Sequence, residues 1–218
     1  WRLFHPLTGM NRNILLFGFV LGTLPLAAQV KKQGMKPASP AVDQSLFHDS
    51  HFHLTNYIQE GLTANYYVDS IMGDKIGRST LFGIPLQQQW SHRVTGDNAP
   101  TYYLESDAPL YYYSFTDAAI AMQYRSLSPE QQERIDPMIT GFNPTDMYAA
   151  DHIRRVLLTF PGVFSGIGEF SIHKEFVSSK VSGDVASLQD PALDRILDFC
   201  AEAGLPQRVR HRNAVAEM

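Results

Sequence analysis

Short apolar segments of strand length alternate with amphipathic helical segments through the middle of the chain. Residues 79–86, 137–142 and 163–172 are almost entirely apolar, as is typical of parallel strands that are buried on both faces. The clearest helix follows the capping sequence at 143–146 and extends to Phe160, with its apolar residues on one face. Since crossovers between parallel strands are right-handed, this alternation predicts an α/β fold, either a doubly wound sheet or a barrel.

The remaining segments extend this alternation to about five strand–helix units. Further strands are predicted at 45–54 and 110–115, and further helices at 63–72, 117–125, 129–135 and from Asp190 onward. Polar, turn-rich residues predict long loops at 87–109 and 174–189. Neither a glycine-rich phosphate loop nor a GxSxG motif occurs, which argues against a nucleotide cofactor and a serine hydrolase.

Composition limits the class of protein. The 218 residues are 44% hydrophobic and 18% charged with a net charge of −4, which suits a soluble domain with one sizeable core. A disordered, collagen-like or polytopic membrane protein is excluded, and the acidity argues against a nucleic-acid binder held by bulk charge. Cys200, the single cysteine, can form neither an internal disulfide nor a thiolate cage, and its apolar helix face predicts a core position.

Residues 1–28 are predicted to be a leader with a secretory signal peptide. Arg12 supplies the positive region, residues 14–26 the apolar run, and Ala27-Ala28 the small residues before cleavage. The run is shorter than the roughly 20 residues of a membrane-spanning helix, although an uncleaved anchor or a buried strand remains an alternative. Residues 29–42 are predicted to be a linker, so that 43–218 form an exported domain, periplasmic or secreted, without stable membrane insertion.

Two histidines end the first predicted strand, as His51-Phe52-His53. Residues two apart in a strand point to the same face, so both imidazoles can reach one metal ion. If the side chains alternate strictly, Asp49 lies on that same face. It is a candidate to contact the ligand histidines without binding the metal itself. The alternative is a chance pair, because HxH is a common sequence.

A single acidic residue interrupts the apolar strand Gly166-Ile167-Gly168-Glu169. Burying an unpaired carboxylate is costly, and either a metal ion or an arginine partner would offset that cost. The two glycines allow close approach of the backbone to a ligand or to a neighbouring strand. His173, at the end of this strand, is a candidate metal ligand or substrate contact, with an ordinary loop histidine as the alternative.

Together, Asp49-Ser50-His51-Phe52-His53 and Gly166-Ile167-Gly168-Glu169 resemble metal-dependent hydrolases of the amidohydrolase superfamily, which fold as a distorted (β/α)8 barrel. The resemblance covers roughly residues 45–206. It implies that His51 and His53 bind metal from the first strand and Glu169 from the fourth, and that His211 lies roughly where a fifth-strand histidine is expected. It also implies a divalent metal cofactor, with zinc expected, as one ion or two.

The resemblance further implies a small-molecule substrate and hydrolysis of a C–N or C–O bond, or of a phosphoester, by metal-activated water. No nucleic-acid partner is expected, because the net charge is −4. The long loops would shape the substrate pocket. Aromatic residues would line that pocket or else pack in the core: Trp90, Tyr102, Tyr103, Tyr111, Tyr112 and Tyr113.

The sequence departs from the family pattern after Pro206. Arg208, Arg210 and Arg212 alternate where an apolar strand is expected, and the family's sixth-strand histidine and eighth-strand aspartate have no counterpart. We therefore expect roughly the first five units of a barrel, ended by truncation or a frame shift, with an ordinary basic tail as the alternative. The alternative function is an incomplete, non-catalytic barrel fragment that binds metal weakly at most.

Overall fold

The computed structural model describes residues 45–102, 104–174, 176–205 and 207–211, the last of these ranges by its backbone only. The expected leader at 1–28 and linker at 29–42 lie outside the described residues. In the described part of the chain, no helix combines the length and the apolar character needed to cross a membrane.

Five parallel strands form the main sheet, in the order β1-β2-β5-β6-β7, and the sheet curls into a half-barrel. A separate antiparallel pair, β3-β4, lies outside it. The strands in chain order are β1 (Phe47–His53), β2 (Ile76–Phe82), β3 (Leu86–Gln88), β4 (Leu110–Tyr112), β5 (Ile135–Ile139), β6 (Gly166–His173) and β7 (Gln207–His211).

Helices connect successive strands of the main sheet, as the alternating sequence pattern predicts. They are α1 (Ala64–Tyr66), which continues as a π-helix (Tyr67–Met72), then α2 (His92–Thr95), α3 (Phe115–Arg125), α4 (Pro129–Gln132), α5 (Ala149–Thr159), a 3₁₀ turn (Ser178–Lys180) and α6 (Pro191–Ala203).

The best-defined helix boundaries are those of α6. The Asp190 carboxylate accepts a hydrogen bond from the Ala192 backbone N–H at 2.9 Å, and Pro191 occupies the first helical position. Gly204, with φ of +68°, ends the helix in the left-handed conformation that glycine adopts without a Cβ clash. The sequence therefore predicts this helix at both ends.

One hydrophobic core joins the sheet to α1, α3, α5 and α6. Ile139 and Ile167 on neighbouring strands are fully buried, as are Ile153 of α5 and Ile196 of α6. Cys200 is also fully buried, and its burial raises the pKa of the thiol to about 12. The predicted core position of Cys200 is confirmed.

The antiparallel pair corrects two sequence predictions. Residues 79–86 do not form one strand: β2 ends at Phe82, and Leu86 begins β3 after a turn. Residues 110–115, predicted as a strand of the alternation, instead give β4, which pairs with β3, and Phe115 already begins α3. Strand-length apolar runs do not specify their partners, and here the turn ending at Pro85 diverts the chain out of the main sheet.

Candidate metal site

The two predicted histidines meet at the carboxyl end of β1. Their Nε2 atoms lie 3.1 Å apart, and both rings lie against the buried ring of Phe82, with centroids at 5.1 Å for His51 and 5.7 Å for His53. Phe82 is the last residue of β2 and pairs in register with His53. The end of the neighbouring strand thus supplies an apolar support beneath both imidazoles.

Glu169 reaches the same point from β6. Its Oε2 atom lies 2.6 Å from Nε2 of His51 and 3.5 Å from Nε2 of His53. Because the last residue of β5, Ile139, pairs with Ile167, Glu169 lies beyond the end of β5 and level with the carboxyl edge of the sheet. The sequence left open an arginine partner for this carboxylate, and the structure brings two imidazoles to it.

Gly168 adopts a conformation that few other residues tolerate. Its φ is +112°, in the region that glycine occupies freely because it has no Cβ. It directly precedes Glu169, whose side chain is only 8% exposed. The glycine predicted from the sequence to permit close approach therefore lies where the backbone turns the carboxylate toward the histidines.

The backbone fixes the orientation of one imidazole. Nδ1 of His53 lies 3.2 Å from the carbonyl oxygen of Gly83, which can only accept a hydrogen bond. Nδ1 therefore carries a proton and donates it, and in the neutral ring Nε2 presents its lone pair to the cluster. This is the arrangement by which a backbone carbonyl orients a metal-binding histidine.

The turn that provides the Gly83 carbonyl is itself held by Tyr57. The Tyr57 hydroxyl donates to the carbonyl of Ile84 at 3.0 Å, accepts from the Ile84 N–H at 2.6 Å and contacts the hydroxyl of Thr116. Burial raises the pKa of Tyr57 to about 12, so the phenol stays protonated at neutral pH. Nothing in the sequence around Tyr57 indicates this role, because the contact joins residues 27 positions apart.

Asp49 contacts the backbone of the histidine segment. Register shifts interrupt the β1–β2 pairing on both sides of Asp49. One carboxylate oxygen accepts from the His51 backbone N–H at 2.9 Å, and the other accepts from the Tyr67 hydroxyl at 3.0 Å on the covering π-helix. Asp49 thus supports the backbone of a histidine in the cluster rather than its imidazole.

The other two predicted histidines lie at the ends of β6 and β7. His173 ends β6 and is exposed, and it is not among the three residues whose ligand atoms converge. Its Cα pairs in register with that of His211 in β7, which places the two residues side by side on adjacent strands. The side chain of His211 lies outside the described residues.

The three converging residues fit a divalent metal ion. Their candidate ligand atoms all lie within 4.8 Å of one another, with measured separations of 2.6, 3.1 and 3.5 Å. Ligands at about 2.1 Å around a tetrahedral ion lie about 3.4 Å apart, so small side-chain movements would accommodate one. Two imidazole nitrogens and one carboxylate oxygen are also a donor set used in metal sites.

A cavity of about 260 Å³ opens beside the cluster. His53 and Glu169 form part of its wall, so a metal ion between them would face the cavity. The other lining residues are Thr55, Gln59, Ile84, Pro85, Leu86, Tyr102, Tyr112, Ser171 and Lys174.

Two of the predicted aromatic residues line this cavity, Tyr102 and Tyr112. Burial raises the pKa of Tyr112 to about 12, which keeps its phenol neutral. Tyr111 and Trp90 are exposed and do not line the cavity, and Tyr103 lies outside the described residues. No sequence pattern marks the polar residues of the cavity wall, because a threonine, a glutamine or a lysine near a strand end is common.

A buried carboxylate close to the same edge was also not predicted. Asp117 of α3 is 1% exposed and accepts hydrogen bonds from the backbone N–H groups of Thr140 and Gly141, at 2.9 and 3.0 Å from Oδ1. Burial raises the pKa of Asp117, while these bonds and His152, whose Nε2 lies 3.9 Å from Oδ2, act in the opposite direction. Asp117 thereby attaches α3 to the end of β5.

Comparisons with known proteins identify no family for this chain. No family model, no curated protein and no solved structure matches the chain.

Proposed function

We propose that this protein is a metal-dependent hydrolase of amidohydrolase type that cleaves a C–N or C–O bond, or a phosphoester, in a small molecule. The observation that carries the proposal is the convergence of His51 Nε2, His53 Nε2 and Glu169 Oε2 at one point. The curled parallel sheet is compatible with part of a (β/α)8 barrel. In such barrels the active site lies at the carboxyl ends of the strands, which is where these three residues lie.

The ligand set supports a catalytic site over a structural one. Structural zinc sites use four protein ligands, whereas catalytic sites use three and leave a position for water or substrate. The described cluster contains three residues, and His51 remains 43% exposed, so its outer side is open. When bound, a divalent ion supplies Lewis acidity and lowers the pKa of its water from 15.7 to about 7.

The residues of the chain have separate tasks in this proposal. The Gly83 carbonyl holds His53 in the tautomer whose Nε2 carries no proton, so that Nε2 can bind the metal ion. Glu169 supplies a negative charge whose burial is offset by the positive ion. The cavity wall positions the scissile bond of the substrate next to His53 and Glu169.

Zinc titration of the purified chain tests the ligand assignment. We expect one tight site in the unmodified protein, weakened at least tenfold by His51→Ala, His53→Ala or Glu169→Ala. His92→Ala is the matched control, because His92 is 75% exposed and is not one of the converging residues. Equal zinc affinity in all variants would remove the assignment, and absence of zinc binding would remove the proposal.

Hydrolysis assays separate an enzyme from a protein that only binds metal. A panel of N-acyl amino acids, aryl esters and aryl phosphates is incubated with the zinc-loaded chain, with and without a chelator. We expect turnover of at least one class, lost on chelation and in Glu169→Gln. Zinc binding without turnover above that of Glu169→Gln would support the alternative, a non-catalytic metal-binding chain.

A further inference from the structure

One buried tyrosine contacts the strand that carries both histidines. Tyr67 is the first residue of the π-helix that follows α1, and it is only 1% exposed. Tyr67, Val68 and Met72 are the buried residues of this π-helix and belong to the main core. π-helical turns are rare in proteins and occur frequently at functional sites. Through Tyr67, this turn contacts β1 at two points.

The ring of Tyr67 holds the residue between the two histidines. The ring of Phe52 stacks on it, with centroids 3.6 Å apart and planes 11° from parallel. The imidazoles of His51 and His53 lie instead against the ring of Phe82. Tyr67 and Phe82 therefore hold alternate residues of this segment, and a rotation of the segment about its own axis would disrupt both sets of contacts.

The hydroxyl of Tyr67 holds the same strand at a second point. It donates to Oδ2 of Asp49 at 3.0 Å, and its oxygen lies 2.7 Å from the hydroxyl oxygen of Ser79 in β2. Since the phenolic proton is directed to Asp49, the Ser79 hydroxyl donates the second bond. Burial raises the pKa of Tyr67 to about 12, so the phenol keeps its proton at neutral pH.

Asp49 connects Tyr67 to the first histidine. Its Oδ1 accepts from the His51 backbone N–H at 2.9 Å, while its Oδ2 accepts from the Tyr67 hydroxyl. The register shifts on both sides of Asp49 interrupt the regular backbone pairing of β1 with β2 at this point. The side chains of Ser79, Tyr67 and Asp49 thus link the two strands where the pairing is irregular.

We propose that Tyr67 is a positioning residue of the metal site, which fixes the segment of His51 and His53 through its ring on Phe52 and its hydroxyl on Asp49. This inference rests on the proposed function, which assigns the two histidines to the metal. Ligands that are already held in place lose less freedom when the ion binds, so the Tyr67 hydroxyl raises the affinity for the ion.

Zinc titration of Tyr67→Phe tests the proposal, because this variant keeps the ring on Phe52 and removes only the hydroxyl. We expect the zinc affinity to fall about tenfold, as is usual when a group that supports a metal ligand is lost. Tyr124→Phe is the matched control, because Tyr124 is a buried core tyrosine of a different helix, α3. It should keep the zinc affinity of the unmodified chain even if its thermal stability falls.

A double-mutant cycle tests the route through Asp49. Asp49→Asn keeps an oxygen for the His51 N–H but offers no second oxygen to the Tyr67 hydroxyl, so it breaks the same link from the other side. We expect Asp49→Asn to weaken zinc binding at least as much as Tyr67→Phe does. The double variant should bind zinc no more weakly than Asp49→Asn alone.

NMR of the metal-free chain gives a second readout that does not depend on zinc. The imidazole Cε1–H signals of His51 and His53 should shift or broaden in Tyr67→Phe and stay unchanged in Tyr124→Phe. The signal of His92, which is 75% exposed, should stay unchanged in both variants.

The outcomes separate this inference from the proposed function. Unchanged zinc affinity in Tyr67→Phe, or an equal loss in Tyr124→Phe, would overturn the positioning role and leave the metal site. Additive losses in the double variant would overturn the route through Asp49. If the unmodified chain binds no zinc, the proposed function is wrong; shifted imidazole signals in Tyr67→Phe would then still support the positioning of the histidine segment, and unchanged signals would overturn it too.

Discussion

At the scale of single residues, the candidate site depends on side chains held by distant parts of the chain. His53 is oriented by the carbonyl of Gly83, and the turn after Gly83 is held by Tyr57. In α3, the buried Asp117 carboxylate accepts hydrogen bonds from backbone N–H groups just after β5, including that of Gly141. A carboxylate buried at this edge of the sheet makes the stability of the protein depend on pH.

Replacing Asp117 with asparagine should change how stability varies with pH. Burial raises the pKa of Asp117 above its value in the unfolded chain, so the folded state binds more protons at pH values between the two. Its contribution to stability therefore decreases as pH rises through that interval. In Asp117→Asn the amide oxygen can still accept the N–H groups of Thr140 and Gly141, and this decrease disappears.

Urea unfolding between pH 4 and 8 measures the effect. The free energy of unfolding of Asp117→Asn should rise relative to that of the unmodified protein as the pH increases. The exposed Asp184→Asn serves as control for the removal of one carboxylate. A difference for Asp117→Asn that stays constant with pH would show that the buried carboxylate titrates as in the unfolded chain.

At the scale of elements, helix boundaries carry more local information than strand pairing does. Asp190 and Pro191 start α6, and Gly204 ends it, each through a contact or a conformation within a few residues. The pairing of β3 with β4 instead joins residues more than 20 positions apart. The signals that set a helix boundary can therefore be tested by changing one residue.

Replacing Asp190 with alanine should destabilise the protein by about 1 kcal/mol, the usual cost of losing a helix N-cap. The substitution removes the acceptor of the Ala192 N–H but leaves Pro191 and the buried face of α6 in place. Asp198→Ala is the matched control, because Asp198 is exposed in the same helix and does not cap it. Equal free energies of unfolding for the two variants would show that the cap contributes nothing.

At the scale of the whole molecule, the main core and the antiparallel pair are separate packing units. The main core joins the parallel sheet to the helices, whereas Leu86, Leu110 and Val177 form a small cluster of their own. Regions with few buried apolar contacts open at lower free energy than the core does. The β3–β4 pair, which also borders the cavity through Leu86 and Tyr112, belongs to such a region.

Hydrogen exchange should therefore distinguish the two units. Backbone amides in the β3–β4 pair, such as that of Gln88, should exchange at least tenfold faster, after correction for intrinsic rates, than those of Ile139 and Ile167. The measurement is native-state exchange followed by mass spectrometry of peptides. Equal protection of both units would indicate one cooperative structure that includes the antiparallel pair.

Sequence reasoning predicted the α/β class, four of the five parallel strands and most helices, because periodicity and capping are local properties. It did not predict β7, where alternating arginines break the apolar pattern of a buried strand. It brought His51, His53 and Glu169 to one site, which the structure also does. It proposed Asp49 as a support for the ligand histidines, and the Asp49 carboxylate accepts a hydrogen bond from the backbone N–H of His51. It did not single out Tyr57, whose role arises from a contact between distant segments.

Zinc K-edge X-ray absorption of the metal-loaded protein is the decisive test of the assigned ligands. We expect two imidazole nitrogens and a carboxylate oxygen at about 2.0–2.2 Å, with the imidazole signal reduced in His53→Ala. A sulfur ligand, a first coordination sphere without imidazole, or a spectrum unchanged by His53→Ala would rule out this assignment.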